Sequence, residues 1–272
     1  MPELPEVEVT RRSFANAIAG SRIVEVRLGK PLRWPLGVEP HSLHGRQVLA
    51  VRRRGKYLLL DMDEGLLMVH LGMSGSLRFG LDLPPAGTHD HFSLHTTQGI
   101  LRLNDPRRFG CVMAVASEND PKARKLLDGL GMEPLGEAFD AGTFYQQLRR
   151  SRSSIKQVLL VGRMVVGVGN IYASEALFKA GIHPEKVAAR MSRKQVQRLW
   201  QTVREVMHNA IEEGGSSLRN YSNALGRNGN YQSLAYVYGR QGQPCRICGH
   251  TILMIRQGQR STYFCPHCQK RQ

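Results

Sequence analysis

Val48-Leu-Ala-Val-Arg-Arg-Arg-Gly-Lys-Tyr-Leu-Leu-Leu60 holds two short apolar runs separated by four cations and one glycine. Runs this short, punctuated by a turn residue, read as strands of an antiparallel pair. The texture extends both ways. Ile23-Val-Glu-Val26, Leu66-Leu-Met-Val69, Phe92-Ser-Leu94 and Ile100-Leu-Arg-Leu103 are similar runs, parted by Gly, Pro and Asp. Cys111, within Phe109-Gly-Cys-Val-Met-Ala-Val115, fits a buried strand, and residues 80–90 with Pro84-Pro85 fit a loop. Together they predict an antiparallel sandwich or barrel over about residues 21–116.

The period is helical on either side. Residues 5–19 place Val7, Phe14, Ala17 and Ile18 on one face, with Gly20 as the stop. Residues 117–136 turn polar and rich in Pro and Gly, as a join between domains would. Beyond them helices are expected near 141–150, 155–161 and 171–180. Ser192-Arg-Lys-Gln195 has the form of a capping box. It opens a stripe of Val196, Leu199, Trp200, Val203, Met207, Ala210 and Ile211, closed by Gly214-Gly215. That stripe is core. The expected plan is an α+β multidomain chain: a β-sandwich domain over 1–116, a linker over 117–136, a helical domain over 137–237 and a small unit over 238–272.

The chain has 272 residues, with 38 Lys+Arg against 22 Asp+Glu and a formal charge of +16. Such an excess suits a polyanion, nucleic acid before membrane. No apolar run reaches transmembrane length, and the N-terminus lacks an apolar signal region, which points to the cytoplasm. Four of the five cysteines fall in the tail as Cys245-Arg-Ile-Cys248 and Cys265-Pro-His-Cys268. Paired CxxC motifs at this spacing suit one structural zinc held by four thiolates, and a unit this small needs the metal to fold. His250 and His267 are substitute ligands that four cysteines make unnecessary.

Other stretches carry chemistry less specifically. Gly167-Val-Gly-Asn170 precedes a helix, where amides and glycines can meet a phosphate; Asn170 as a plain N-cap explains the sequence equally well. Asp105-Pro-Arg-Arg-Phe109 sets an aromatic ring beside two cations, a composition that fills gaps in opened duplexes. Met73 lies at a glycine-flanked turn, Leu71-Gly-Met-Ser-Gly75. At the start, Met1-Pro-Glu-Leu-Pro-Glu6 would expose a secondary amine on Pro2 once Met1 is removed. Chain-terminal amines titrate near ~8, so part is neutral at pH 7 and able to form an iminium, with Glu3 and Glu6 as acid and base. On their own, these six residues read more simply as a helix start with Pro5 and acids in its first turn.

Taken together, the start Pro-Glu-Leu-Pro-Glu, Gly55-Lys-Tyr57, His70-Leu-Gly-Met-Ser-Gly75, Asp105-Pro-Arg-Arg-Phe-Gly110, Val166-Gly-Val-Gly-Asn-Ile-Tyr172 and the tail with Gln259-Arg260 closely resemble the formamidopyrimidine-DNA glycosylase family. The likeness spans essentially the whole chain. It implies bacterial base-excision repair of oxidised purines on damaged duplex DNA, by a monomer at the nucleoid without a nucleotide cofactor. A related branch, acting mainly on oxidised pyrimidines, usually begins Pro-Glu-Gly-Pro; Leu4 here favours the purine branch.

The resemblance also implies roles. Pro2 is the nucleophile, Glu3 protonates the sugar ring oxygen, and Glu6 stands behind them. Lys56 and Arg260 join the catalytic set and, with His70 and Asn170, grip phosphates. Met73, Arg107 and Phe109 fill the space of the flipped base. His89, Lys156 and Tyr172 count among the DNA contacts, with Lys156 and the 216–223 loop at the base pocket. A positive cleft between sandwich and helix–two-turn–helix domain is implied as the duplex seat. One departure stands out: Asn223-Ala-Leu-Gly226 carries Leu225 where the family commonly has an acid.

Overall fold

The computed structural model describes residues 2–216 and 222–271. The chain divides into two units, Met1–Gly129 with Glu213–Asn230 and Leu130–Glu212 with Tyr231–Gln272. The first differs from the expected 1–116 domain because 213–230 returns to it. It also takes in helix α2 (Pro121–Leu127), capped by Asp120 accepting from Lys122 N–H, where the sequence suggested only a linker. The tail groups with the helices of the second unit.

In the first unit, helix α1 (Leu4–Ile18) is followed by strands β1 (Ile23–Leu28), β2 (Val48–Arg54), β3 (Tyr57–Met62), β4 (Leu66–His70), β5 (Ser76–Gly80), β6 (Asp90–Thr96), β7 (Gly99–Asn104) and β8 (Cys111–Val115). They form two antiparallel four-stranded sheets, β1-β6-β7-β5 and β2-β3-β4-β8. Gly55-Lys56 is the two-residue loop of the β2–β3 hairpin, with Arg54 opposite Tyr57 and Gly55 at φ 57. The uninterrupted Leu58-Leu59-Leu60 is buried on both faces, as its lack of alternation requires. Leu58, Leu60, Leu67, Val69 and Val112 of one sheet share a core with Leu77, Phe92, Leu94, Leu101 and Leu103 of the other. Val7, Phe14 and Ile18 of α1 join that core. Strand β5 is the one the sequence hid, since its Leu77 and Phe79 are too few to stand out from a glycine-rich stretch.

The second unit contains α3 (Ala141–Leu148), α4 (Ile155–Val161), α5 (Asn170–Lys179), α6 (Arg193–Glu212), the short α7 (Tyr231–Leu234) and the hairpin β9 (Leu253–Gln257)–β10 (Arg260–Phe264). The capping box forms: Ser192 N–H donates to Gln195 Oε1 at 3.0 Å, and Gln195 N–H to Ser192 Oγ at 3.2 Å. The expected stripe of α6 is buried apart from Trp200, which is half-buried and donates its Nε1–H to Phe139 O at 2.6 Å. No helix among the described residues is long and apolar enough to cross a membrane.

Candidate active site

Pro2 lies just ahead of α1, with the buried Glu3 between them. The Glu6 carboxylate accepts the Glu3 N–H on Oε2 at 2.8 Å and the Ser216 N–H on Oε1 at 2.8 Å. Gly215, at φ 81, leaves room for this approach; a Cβ there would stand 3.2 Å from Glu6 Oε1. Glu6 therefore fixes both the backbone behind Pro2 and the returning 213–216 segment. Two residues on, Glu8 binds Arg11, Arg12 and Arg53 at 2.8, 3.0 and 3.1 Å. Burial alone would raise its carboxyl, but the guanidiniums outweigh burial and hold it at about 2. Arg53 belongs to β2, so this cluster anchors the helix that carries the site.

Lys56 extends from the β2–β3 turn, and its charge is felt by His70 at the end of β4. His70 packs on Tyr57 with ring centroids 4.7 Å apart, and its Nδ1 accepts from Gly72 N–H at 3.0 Å. Burial, then Lys56 and Arg33, bring its pKa down to about 4. The imidazole is therefore neutral at pH 7, with its proton on Nε2 because Nδ1 is an acceptor. That makes it a donor to an anion at any physiological pH.

Two loops meet through Asp105. Its fully buried carboxylate accepts from Ser74 Oγ at 2.6 Å, Gly110 N at 2.7 Å and Arg107 N at 3.3 Å. Gly72 runs so close to the Phe109–Gly110 backbone that a side chain would have no room, and its φ of 62 also favours glycine. As a result the exposed Met73 and Phe109 project from adjoining turns, and the Arg107 guanidinium covers the Phe109 ring at 4.8 Å. Arg108, at φ 55, sits at the bend. His89 is exposed next to this assembly, its carbonyl accepting from Asp105 N–H at 2.8 Å.

The 222–227 turn is held by Asn223, whose Oδ1 accepts from Leu225 N and Arg227 N, both at 3.0 Å. Ala224 O accepts from Phe79 N–H at 2.9 Å, docking the turn on β5. Leu225 is exposed, so its replacement of an acid leaves these bonds intact. Of the 216–223 loop expected at the base pocket, residues 217–221 lie outside the described residues.

In the second unit the zinc hairpin is tied down from below. Fully buried Lys156 donates from Nζ to Thr262 Oγ1 at 2.7 Å and Ser261 O at 3.1 Å. Asn170 Nδ2 donates to the same Ser261 carbonyl at 2.9 Å. Arg260, at the start of β10, is exposed. Glu175, fully buried on α5, accepts from Tyr236, Val237 and Tyr238 N–H at 2.8, 3.0 and 2.8 Å. The four cysteine sulfurs lie within 4.8 Å of one another, with Cys245–Cys268 at 4.0 Å and Cys248–Cys265 at 3.4 Å. A tetrahedron with Zn–S bonds of about 2.3 Å needs sulfurs about 3.8 Å apart, so the cluster fits the ion.

Residues 1–112 match the formamidopyrimidine-DNA glycosylase N-terminal domain, residues 130–222 the H2TH domain of that glycosylase, and residues 242–271 a zinc finger found in FPG and IleRS. The chain is 63% identical over 270 residues to the formamidopyrimidine-DNA glycosylases of Albidiferax ferrireducens and Variovorax paradoxus, covering 99% of this chain and all of each relative. The chain belongs to the formamidopyrimidine-DNA glycosylase family. Its structure is similar to that of MutM (Fpg) from Thermus thermophilus, with a TM-score of 0.90 at 38% identity over the full length of both chains. It is equally similar to Lactococcus lactis Fpg in complex with DNA containing an abasic site, with a TM-score of 0.90 at 35% identity over 99% of this chain and 100% of that one.

As a glycosylase of this family, the chain contains one structural zinc, and Cys245, Cys248, Cys265 and Cys268 provide its ligands. Within the first unit the structure brings Pro2, Glu3 and Glu6 together, and separately Met73, Arg107, Phe109 and His89. Lys156, expected at the base pocket, is buried, with its Nζ bonded to the hairpin at Ser261 and Thr262 beside Arg260. Tyr172, expected among the DNA contacts, is also fully buried and packs edge-on to Tyr231 at 5.2 Å. Asn170 is the first residue of α5, with Gly169 as the N-cap, so its amide is not the cap. The sequence reading missed Asp105, Glu8 and Glu175 as organisers. Asp105 carried a signal: Asx residues before Pro-Arg turns commonly bond the backbone that follows.

Proposed function

We propose that the chain is a bifunctional glycosylase and lyase that removes 8-oxoguanine and formamidopyrimidines from duplex DNA by covalent catalysis at Pro2. The observation that carries this reading is the clamp that Glu6 places on the Glu3 backbone, which supports a fixed amine and a buried acid at one point. The neutral Pro2 amine attacks the sugar C1′ as the bond to the base breaks and its electron pair leaves with the base. The Pro2 N–H proton passes to the departing base, and Glu3 protonates the ring oxygen as it opens, a contribution worth roughly 10²–10⁴-fold in rate. The resulting iminium acidifies the C2′ proton. Its loss expels the 3′ phosphate by β-elimination, and δ-elimination then releases the 5′ phosphate.

Reaching C1′ requires the nucleotide to be turned out of the stack. Met73 and Phe109, on loops locked through Asp105, take the vacated space, and Arg107 meets the unpaired base. Lys56, the Nε2–H of neutral His70, Asn170 and Arg260 hold phosphates, with His89 a further DNA contact. Binding weakens steeply with salt as counterions return to the backbone. The chain works as a monomer on the DNA of the bacterial nucleoid.

Borohydride trapping on a duplex with 8-oxoguanine opposite cytosine tests this reading. The expected product is a cross-link on Pro2 in protein whose mass shows Met1 removed, with Pro2→Gly binding the duplex but forming none. Trapping on thymine glycol alone would move the substrate to oxidised pyrimidines. No trapping on either, with Pro2 at the terminus, would leave a binding protein.

A further inference from the structure

The zinc ribbon holds a second convergence of ligands that the four-cysteine site does not use. His250 and His267 are both exposed and their rings stack, with centroids 4.4 Å apart and planes within 10°. One ligand atom from each, together with Cys248 Sγ, falls within 4.8 Å of the others. The two backbones are fixed independently of the rings. His250 O accepts from Cys245 N–H at 2.8 Å, and His267 lies inside the second knuckle, between Cys265 and Cys268. Only side-chain rotation is left, and on the surface that costs little.

We infer that His250, His267 and the Cys248 sulfur form a second metal site for a borderline divalent transition-metal ion, with Cys248 bridging it to the structural zinc. Imidazole and thiolate together are the donor set such ions prefer over Mg²⁺ or Ca²⁺. Donors around a tetrahedral ion lie about 3.3–3.8 Å apart, so the present span needs to shrink by about 1 Å. Half-exposed Cys248 offers its sulfur on the side facing the two rings. Four thiolates around one Zn²⁺ also leave a formal charge of −2, which draws a second cation. The arginines to either side face elsewhere: Arg246 donates to Ser233 O at 3.0 Å, and Arg271 pairs with Glu185 at 3.1 Å. The knuckle geometry itself brings the rings to the sulfur, since Cys248 lies two residues before His250 and meets Cys265, two residues before His267. His250 Nδ1 lies 3.4 Å from Cys248 O, leaving Nε2 of that ring for an ion.

The inference does not depend on the repair reading. Its test uses tag-free, zinc-loaded protein titrated with Co²⁺, following visible absorption, the thiolate-to-cobalt charge-transfer band and released zinc together. The expected result is one equivalent of Co²⁺ taken up with a charge-transfer band and no zinc release. His250→Ala/His267→Ala should lose that uptake while keeping its one zinc. Cobalt entering only as zinc leaves would overturn the inference, as would an unchanged titration in the double variant. As a check on the unaltered chain, the ¹⁵N imidazole resonances of His250 and His267 should shift together on adding excess Zn²⁺. Shifts spread over the other histidines, with these two still, would equally overturn it.

Discussion

The Lys156 ammonium donates to Thr262 Oγ1 at 2.7 Å, tying helix α4 to the zinc hairpin two residues from Arg260. A buried ammonium is costly unless bonded, and Ser261 O and Thr262 share it. Lys156→Met should therefore cost about 1–3 kcal/mol and weaken binding to lesion duplex. The informative comparison is Thr262→Val. If Lys156 acts through the hairpin, both variants lose affinity, and a double-mutant cycle couples them by about 0.5–3 kcal/mol. Normal affinity and excision in Thr262→Val, beside a defective Lys156→Met, would return Lys156 to direct contact with DNA.

Asp105 joins the loops that carry Met73 and Phe109. Asp105→Asn keeps the shape but puts an N–H₂ where one buried donor now finds an acceptor, a loss of about 1–3 kcal/mol. Excision should fall roughly tenfold or more while the salt dependence of binding stays as it was, because no phosphate contact is removed. A matched drop in salt slope, measured by fluorescence anisotropy, would mean that Asp105 acts on phosphate contacts instead.

The strands were legible where they were apolar and uninterrupted. Tyr57–Leu60 and Leu66–Val69 announce central strands, whereas β5 rests on pairing with β7 and on the Ala224 carbonyl, contacts remote in sequence. The zinc site was legible because spacing alone defines it, whereas the start Pro2-Glu3 gained a chemical reading only from the family resemblance, since alone it reads as a helix start. The burial of Lys156 and Tyr172 was not legible, for a common reason. A motif shows that residues belong together but not which of them faces inward, and burial is decided by partners such as Thr262 and Tyr231. Glu175 escaped notice because its backbone partners at 236–238 are remote in sequence, whereas Asp105 and Glu8 have local partners and lacked only the remote ones, Ser74 and Arg53, that make them organisers.

Glu8 gives a pH signature. Its carboxyl is held at about 2 in the folded chain, below the ordinary value of 4.5, so the cluster stabilises the fold above that ordinary value. The stability is lost as pH falls from about 4.5 towards 2. Glu8→Gln should cost about 2 kcal/mol at pH 7, with the gap to the parent closing over that window in urea titrations. A gap that does not change with pH would show that shape, not charge, is what Glu8 contributes.

His70 shifts the opposite way for a base. With a folded pKa of about 4 against an ordinary 6.5, it stays neutral when folded, while the unfolded chain takes up a proton between those values. Folding is therefore favoured as pH rises through that window and penalised below it. In the free protein its imidazole resonances should titrate near 4 and stay flat between 6 and 8, with Nε2 protonated throughout. The same neutrality predicts that affinity for lesion duplex shows no step near pH 6.5 attributable to His70, so His70→Gln should lower affinity by the same factor at pH 6 and pH 8. A factor that grows towards pH 6 would mean that the phosphate is met by a charged imidazolium, and that DNA raises the pKa that burial lowers.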